Sequence, residues 1–435
     1  RTMSDVTTVP FRRDTFEYLG VDIDGDTVRA HYRLDDLTFT ETVTFDDGGT
    51  MTDAARAVVD IWYLVAGLSY YKAGAARHVN LGTTNVGPAG RELLRACLVE
   101  GLGEFAVRNS LWLDDVTIEG GTVPTSVDYV GASTSVLTPF GGGIDSIVTV
   151  EELRPHVDQT LFVVSPAAGR FEPLEASAAV TTLPIARASR TLDPAIRTPD
   201  PSFFLGHVPV TAMVTLLAVT SAARTGRGGV AMSNEHSASV PNLVRDGEPV
   251  NHQWSKSWEA EQLISAAVAE RLGRSLTVAS VLRDRSELWV AERFAGLTDY
   301  HPVFRSCNRA FTHDPAARAA NWCGECDKCL FINLVLAPFL PRPRLREIFG
   351  HEPLAKIELR SQLATLVGLG LDHKPFDCVG DPDECAGALA AVANDPAYAD
   401  VPWLAEVAAQ AGADRTLSEL LEPQGVTGVP QTWIS

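Results

Sequence analysis

The 435-residue chain carries 36 Lys and Arg against 55 Asp and Glu, a formal net charge of −19, with 45% hydrophobic and 21% charged residues. That is the composition of an ordinary globular protein with room for two or three cores, and its acidity opposes a nucleic-acid substrate because most of the surface repels a phosphate backbone. There is no apolar run of about eighteen residues and no secretory h-region, so a membrane span is not expected and the expected compartment is the cytoplasm, where seven cysteines do not build a disulfide framework.

From Phe16 to Phe45 apolar and polar residues roughly alternate around an Asp24-Gly25-Asp26 turn, which predicts a small antiparallel sheet. Thr52 or Asp53 then caps a predicted helix through Tyr71, whose Val58, Ile61, Trp62, Val65 and Leu68 recur at helical spacing, and a second helix is predicted from Gly90 to Arg108. These elements make an N-terminal α+β module over residues 1–131.

Residues 132–350 alternate strands and helices. The run Ser135–Phe140 reads as a strand that stops at Gly141, Gly142 and Gly143, and Ile144-Asp145-Ser146 opens a helix. Glycines let backbone N–H groups approach an anion closely, and the free N–H groups of a helix start add partial positive charge. Further strands are predicted at Thr160–Ser165, Ala178–Ile185 and Gly228–Ser233, with helices from Pro209 to Thr225 and from Trp254 to Leu272. This is the order of a parallel, doubly wound sheet, whose sites form beyond the carboxyl ends of its strands. The candidates there are the glycine loop, Ser165 and the polar run Ser233-Asn234-Glu235-His236. Residues 351–435 read as a helical, acidic region, with helices expected over 357–371 and 382–394.

Cys323, Cys326 and Cys329 stand at x2 spacing, with Cys307 upstream, and four thiolates complete a closed tetrahedral zinc site. An iron–sulfur cluster uses the same ligand type, so spacing leaves the metal open. Cys378 and Cys385 are alternative fourth ligands or buried thiols. Asn251-His252-Gln253-Trp254-Ser255-Lys256 offers an imidazole and a cation before a helix, Tyr300–Cys307 a third histidine, His301, and Arg305. Arg283 and Arg305 suit a polyanionic substrate, although Arg283 or Arg285 can equally pair with Glu287.

Gly141–Ser146 resembles the Ser-Gly-Gly-x-Asp-Ser loop of the N-type ATP pyrophosphatases, the PP-loop enzymes of HUP-like fold, with Gly141 in place of the first serine. Longer blocks, His31–Asp36, Leu68–Lys72, Ser233–Ser239, Asn251–Lys256, Tyr300–Arg309 and Trp322–Gly324, make residues 15 to 385 similar to the UDP-N-acetyl-α-D-muramoyl-L-alanyl-L-glutamate epimerases. The resemblance implies a peptidoglycan-precursor enzyme that uses ATP and Mg²⁺ to invert the terminal L-glutamate of UDP-MurNAc-L-Ala-L-Glu, and a partner ligase that adds that L-glutamate. More distantly, the loop and cysteines are similar to 7-cyano-7-deazaguanine synthase, whose four cysteines hold zinc.

On this reading Gly141, Gly142, Gly143, Ile144, Asp145, Ser146 and Ser165 bind ATP, with Asp145 on Mg²⁺ or capping the helix. Ser233, Asn234, Glu235, Asn251, Arg283 and Arg305 bind substrate, and Cys307, Cys323, Cys326 and Cys329 hold structural zinc. The acid–base pair comes from His236, His252, Lys256 and His301, since imidazole titrates near working pH. Cys307 is the alternative thiol base, better read as a ligand. The competing function is a PP-loop enzyme that amidates an adenylated acid or converts it to a nitrile.

Overall fold

The computed structural model describes residues 9–166, 169–198, 200–310, 318–319, 321–369 and 374–434. Its strands, in chain order, are β1 (Thr15–Asp24), β2 (Thr27–Leu34), β3 (Leu37–Asp46), β4 (His78–Asn80), β5 (Thr117–Glu119), β6 (Ala132–Pro139), β7 (Asp158–Ser165), β8 (Ile185–Thr191), β9 (Arg227–Met232), β10 (Leu243–Arg245), β11 (Glu248–Val250) and β12 (Thr277–Ser280). Ten of them form one sheet in the order β12-β9-β6-β7-β8-β3-β2-β1-β4-β5, and β10 and β11 pair as a separate hairpin.

The half from β12 to β8 is parallel throughout. The chain runs outward from β6 through β7 to β8, then returns to the other side of β6 for β9 and β12. That reversal between β6 and β9 is the switch point of a doubly wound sheet, where a crevice opens beyond the strand ends. Alternate residues of each strand enter different cores, as the two-residue period of a strand requires. Phe162, Ala186, Ala188, Val230 and Met232 pack with the helices Asp53–Ala66, Val210–Thr225 and Trp258–Leu272. Leu161 and Val163 pack with Ile144–Leu153, Glu287–Ala295 and Asp327–Leu336.

The antiparallel strands expected near the N-terminus belong to this same sheet. β3 pairs antiparallel with β8, from Thr42 opposite Thr191 to Asp46 opposite Arg187. The sheet therefore runs unbroken across residue 131. At the seam the fully buried Glu41 accepts two hydrogen bonds from Arg190, at 2.5 and 3.1 Å, and Arg190 also donates to Ser69 Oγ at 2.9 Å. The C-terminal helices Arg360–Leu366, Pro382–Ala393 and Trp403–Ala411 join the core of Asp327–Leu336, so residue 351 does not divide a core either. Beyond them Trp433 returns to the sheet and donates to the Ser133 carbonyl at 3.3 Å.

Three local expectations change. Ala178–Thr181 closes a helix, Glu172–Thr181, and β8 starts only at Ile185. Pro173 sits in the first turn where its missing N–H costs nothing, Glu172 and Glu175 complement the helix N-terminus, and Thr182 ends the helix with φ 58°. The helix expected over 90–108 is two, Pro88–Val99 and Gly103–Arg108, because the chain closes so tightly at Gly101 that a Cβ would lie 2.6 Å from the Cys97 carbonyl oxygen. Of the helix expected over 357–371, a single 3₁₀ turn leads into Arg360–Leu366, and residues 370 and 371 lie outside the described residues. Thr52 caps the first helix as expected, its side chain accepting from Ala55 N at 3.1 Å. Among the described residues no helix is long and apolar enough to cross a membrane.

The seam yields a stability prediction. Glu41→Ala leaves Arg190 charged in a water-poor interior, and removing one partner of a buried pair costs about 3–5 kcal/mol. Urea unfolding of the variant should show that loss, and a change below about 1 kcal/mol, the range of an exposed pair, would mean that the pair does not hold the seam.

Candidate active site

β6 ends at Pro139, and the chain turns through Phe140 and the three glycines into the helix Ile144–Leu153 at the switch point. Gly142 takes φ 75°, the left-handed conformation that glycine adopts without penalty. Gly143 is the N-cap and no side chain caps the helix, so its first N–H groups remain available to an anion. Asp145 therefore does not cap. Ser146 donates to the Gly143 carbonyl at 3.1 Å and braces the turn. A Cβ at Gly141 would meet nothing within 4 Å, so crowding does not explain the missing serine.

This loop forms one wall of a cavity of about 540 Å³. Asp145, Ser233, Asn234, Lys256, Arg305 and Lys328 contribute polar groups to the lining, and Cys378 and Asp377 close it from the C-terminal region. Asp145, Glu235 and Glu287 place carboxylate oxygens within 4.8 Å of one another. Burial and the charge of Glu235 raise Asp145 to about 6, against the opposing pull of Lys328 and Lys256. Burial and the neighbouring Asp145 and Glu235 likewise push Glu287 well above the usual carboxylate range. Asp145 Oδ1, Glu287 Oε2, Ser233 Oγ and Arg305 Nε are buried with no hydrogen-bond partner among the described residues. Polar atoms left so in an interior point to a missing ligand, ion or water. Three carboxylates are the hard oxygen donors that Mg²⁺ prefers.

The other expected site residues divide in two. Asn234 lines the cavity and donates to Ser280 Oγ at 3.0 Å. Lys256 Nζ lies 3.2 Å from Gln253 Oε1 and 3.5 Å from Cys378 Sγ. His252 stands behind Cys378, with Nδ1 on the buried Glu104, and its ring and the Cys378 side chain act on each other's charge. Ser165 ends β7 one residue beyond Val164, a lining residue.

Four residues are placed away from the cavity. Arg283 is buried and its Nη2 donates to the Lys256 carbonyl and to Glu261 Oε2, each at 2.8 Å, while Nη1 donates to the Glu235 carbonyl at 3.2 Å. It ties together the two segments that carry Glu235 and Lys256. Asn251 shapes a turn, donating to Ala238 O and accepting from Gln253 N, both at 2.8 Å. His236 packs on Gly425. His301 is buried between Phe294 and Arg344, with Nε2 at 3.2 Å from the Phe294 carbonyl oxygen and Nδ1 accepting from Arg344. Lys328 and Glu104 escaped the sequence reading, which gave Glu287 only as an ion-pair partner and Cys378 only as a spare ligand or buried thiol. Lys328 lies inside the cysteine motif at x2 spacing and was visible there as the cation on its helix face, whereas the other three have no local signal.

Beside the cavity, Cys307, Cys323, Cys326 and Cys329 bring their Sγ atoms within 4.8 Å of one another, with Cys323 and Cys329 at 3.7 Å. Zn–S bonds of about 2.3 Å in a regular tetrahedron imply sulfur–sulfur edges of about 3.8 Å. Cys378 and Cys385 are outside the set.

A doubly wound α/β protein is thus defined, with a glycine loop and a helix N-terminus facing a cavity of buried charge and a four-sulfur cluster alongside. The family described as MurL N-terminal domain matches residues 7–281, and MurL C-terminal domain matches residues 303–420. Proteins named UDP-N-acetyl-alpha-D-muramoyl-L-alanyl-L-glutamate epimerase are similar over most of the chain. The one from Micromonospora sp. is 38% identical over 408 residues, 90% of this chain and 89% of the relative. Those from Salinispora tropica and Xanthomonas oryzae pv. oryzae are 37% and 35% identical, over 84% and 80% of this chain and 80% and 77% of their own length. The chain belongs to the MurL family of UDP-N-acetyl-α-D-muramoyl-L-alanyl-L-glutamate epimerases.

The loop geometry separates two adjacent glycines. Gly141→Ser has open space and should change unfolding free energy by no more than about 0.5 kcal/mol. Gly142→Ala forces a side chain into the left-handed region and should cost about 1–2 kcal/mol. Equal losses in denaturant titrations would contradict the described turn.

Proposed function

We propose that the chain inverts the α-carbon of the terminal L-glutamate of UDP-MurNAc-L-Ala-L-Glu in peptidoglycan precursor synthesis, using ATP to activate the glutamate α-carboxylate. The observation that carries this reading is the 35–38% identity to proteins of that name across at least four-fifths of the chain. The cavity supports it, since it offers an anion-binding loop, hard oxygen donors and cations in one place.

The need for activation is physical. Removing an α-proton beside an ionised carboxylate puts two negative charges on one small fragment, so that proton is very weakly acidic. Joined to AMP, the carboxyl no longer carries a charge, and the carbanion spreads into an enolate that preorganised donors can stabilise as it forms. In this reading the loop Gly141–Ser146 and the first N–H groups of its helix hold the ATP phosphates, and the glutamate α-carboxylate displaces pyrophosphate as AMP is attached. Asp145, Glu235 and Glu287 would hold Mg²⁺, which neutralises phosphate charge when bound. Arg305, with an unpartnered Nε, and Lys328 stand ready for the remaining anionic charge. Of the expected acid–base set, His252 and Lys256 are next to the cavity and His236 and His301 are not. After reprotonation, hydrolysis releases the D-epimer and AMP. The four cysteines hold structural zinc, for which the convergence of all four sulfurs within 4.8 Å speaks, because a cluster of several irons spreads its thiolates over more than one metal ion. The L-glutamate arrives through a ligase acting on UDP-MurNAc-L-Ala, and the reaction belongs in the cytoplasm with its nucleotide substrates.

The test is incubation with UDP-MurNAc-L-Ala-L-Glu, ATP and Mg²⁺ in D₂O, reading AMP, α-deuterium and glutamate chirality together. AMP with deuterated D-glutamate is expected; AMP without inversion indicates the amidating alternative, and no AMP ends the reading. Asp145→Asn should lower pyrophosphate release by about 10²-fold or more, on the scale of a lost charge-stabilising group, and unchanged release removes its metal role. Metal analysis should return about one zinc per chain, the content of a single closed four-thiolate site, and Cys307→Ser should lose it; iron instead would overturn the zinc assignment.

A further inference from the structure

Three stretches far apart in sequence converge on one side of the cavity. Glu104 comes from the short helix Gly103–Arg108, where Phe105 packs edge-on against Phe204 with ring centroids 6.2 Å apart. His252 follows the β10–β11 hairpin, its backbone N–H bonded to Asn242 Oδ1 at 2.8 Å. Cys378 comes from the C-terminal region, its N–H held by Asp377 Oδ1 at 2.7 Å and its carbonyl accepting from Lys328 Nζ. Together they form a chain of charge: the Glu104 carboxylate on His252 Nδ1, His252 acting on the Cys378 side chain, and Cys378 at the cavity wall. Lys256 Nζ stands 3.5 Å from the same sulfur. His207 covers one face of the His252 ring, with centroids 4.4 Å apart.

We propose that Cys378 is the catalytic base that takes the α-proton of the activated glutamyl residue, with Glu104, His252 and Lys256 as positioning residues that keep its sulfur ionised. The proposal rests on the epimerase reading. The α-C–H bond breaks toward Sγ, the electron pair moves into the adjacent activated carbonyl as an enolate, and Cys378 becomes a thiol. A solvent-derived proton delivered to the opposite face of the carbon completes inversion, and Cys378 returns its proton to water in the cavity. No oxidant, reductant or further reactant is required.

The charges facing the sulfur agree with the geometry. Burial alone would raise the thiol, but Lys256, His252 and Lys328 bring Cys378 down to about 6. Burial likewise opposes charging His252, yet Cys378 and Glu104 hold it up at about 9, while burial and the neighbouring charge of His252 keep His207 near 4 and uncharged. Cys97 and Cys385 provide the contrast within the same chain. Both are buried with no cation dominating, and burial pushes both thiols up. A thiolate held beside two cations at a cavity wall is the environment of a reactive cysteine, not of a structural one.

Cys378→Ala is compared with the wild-type chain under the D₂O conditions above. The ratio of α-deuterium to AMP should fall by about 10²-fold or more, the usual contribution of a general base. An unchanged ratio overturns the base role alone. Wild-type chain that forms AMP without exchange overturns the epimerase reading and the base role with it. An acyl adduct on Cys378 that hydroxylamine releases overturns the base role in favour of acyl transfer to sulfur. A second readout needs no turnover: in wild-type chain without ligands, iodoacetamide labelling of Cys378, followed by peptide mass mapping, should rise through a midpoint near pH 6. In Glu104→Gln, His252 loses the carboxylate that keeps it charged, so the midpoint should move up. A wild-type midpoint at the ordinary thiol value of about 8.5, or an unmoved midpoint in Glu104→Gln, overturns the positioning arrangement.

Discussion

The pairing of Glu41 with Arg190 is the contact on which the rest of the molecule depends. It sits where β3 meets β8, the one place among the described residues at which the antiparallel strands of the first 50 residues join the parallel strands of the central segment. A carboxylate with no exposure is tolerable there because a guanidinium takes both its oxygens and uses a further N–H on Ser69. Two half-sheets locked at that register form one platform. The helix Asp53–Ala66 is thereby packed against Val210–Thr225, and the following helices bring Glu104 to His252. An N-terminal unit free to move about a linker could not hold a carboxylate on an imidazole of the central segment.

What was legible in the sequence followed local chemistry. The glycine loop announced itself because a turn that approaches an anion needs residues without Cβ, and the structure puts Gly142 at a positive φ there. The cysteine set announced itself because thiolates at x2 spacing from one turn can converge, and Cys307 completes the four-sulfur group. The seam had no such signal. The alternation of β3 is the same whether its free edge meets solvent or β8, so sheet continuity was hidden although the strand itself was visible. The misread segment 178–185 shows the converse, since Val180, Thr181 and Thr182 favour a strand locally while the Ala- and Glu-rich turn before them carries the chain on as helix to Thr181.

The histidines make the same point for the site. His236, His252 and His301 all lie in polar, motif-like runs, and nothing in those runs ranks them. His301 has both ring nitrogens engaged by Phe294 and Arg344, an arrangement that fixes a loop. His252 differs only through Glu104 and Cys378, which lie 148 residues before it and 126 after it by their numbers. Cys378 likewise reads as a spare thiol until the fold supplies its neighbours. Residues whose chemistry is set by long-range partners are invisible to spacing rules.

The charge distribution in the cavity follows from these placements. Five ionisable groups, Asp145, Glu235, Glu287, Lys256 and Lys328, share a space from which much water is excluded, and burial alone disfavours the charged form of Asp145, Glu287, Lys256 and Lys328. They are tolerated because they are mixed in sign: the carboxylates hold the lysines charged, and the lysines limit how far Asp145 and Glu287 rise. The compensation stops short at Asp145 Oδ1, Glu287 Oε2, Ser233 Oγ and Arg305 Nε, which are buried with no hydrogen-bond partner among the described residues. A core selected for stability alone would replace such atoms with apolar groups of the same volume. Their presence at the switch point of the sheet, beside a helix start with open N–H groups, is the mark of a site whose polar network is completed by what binds there. A phosphate chain carrying a divalent cation would satisfy both halves at once, its oxygens meeting the donors and its metal meeting the carboxylates.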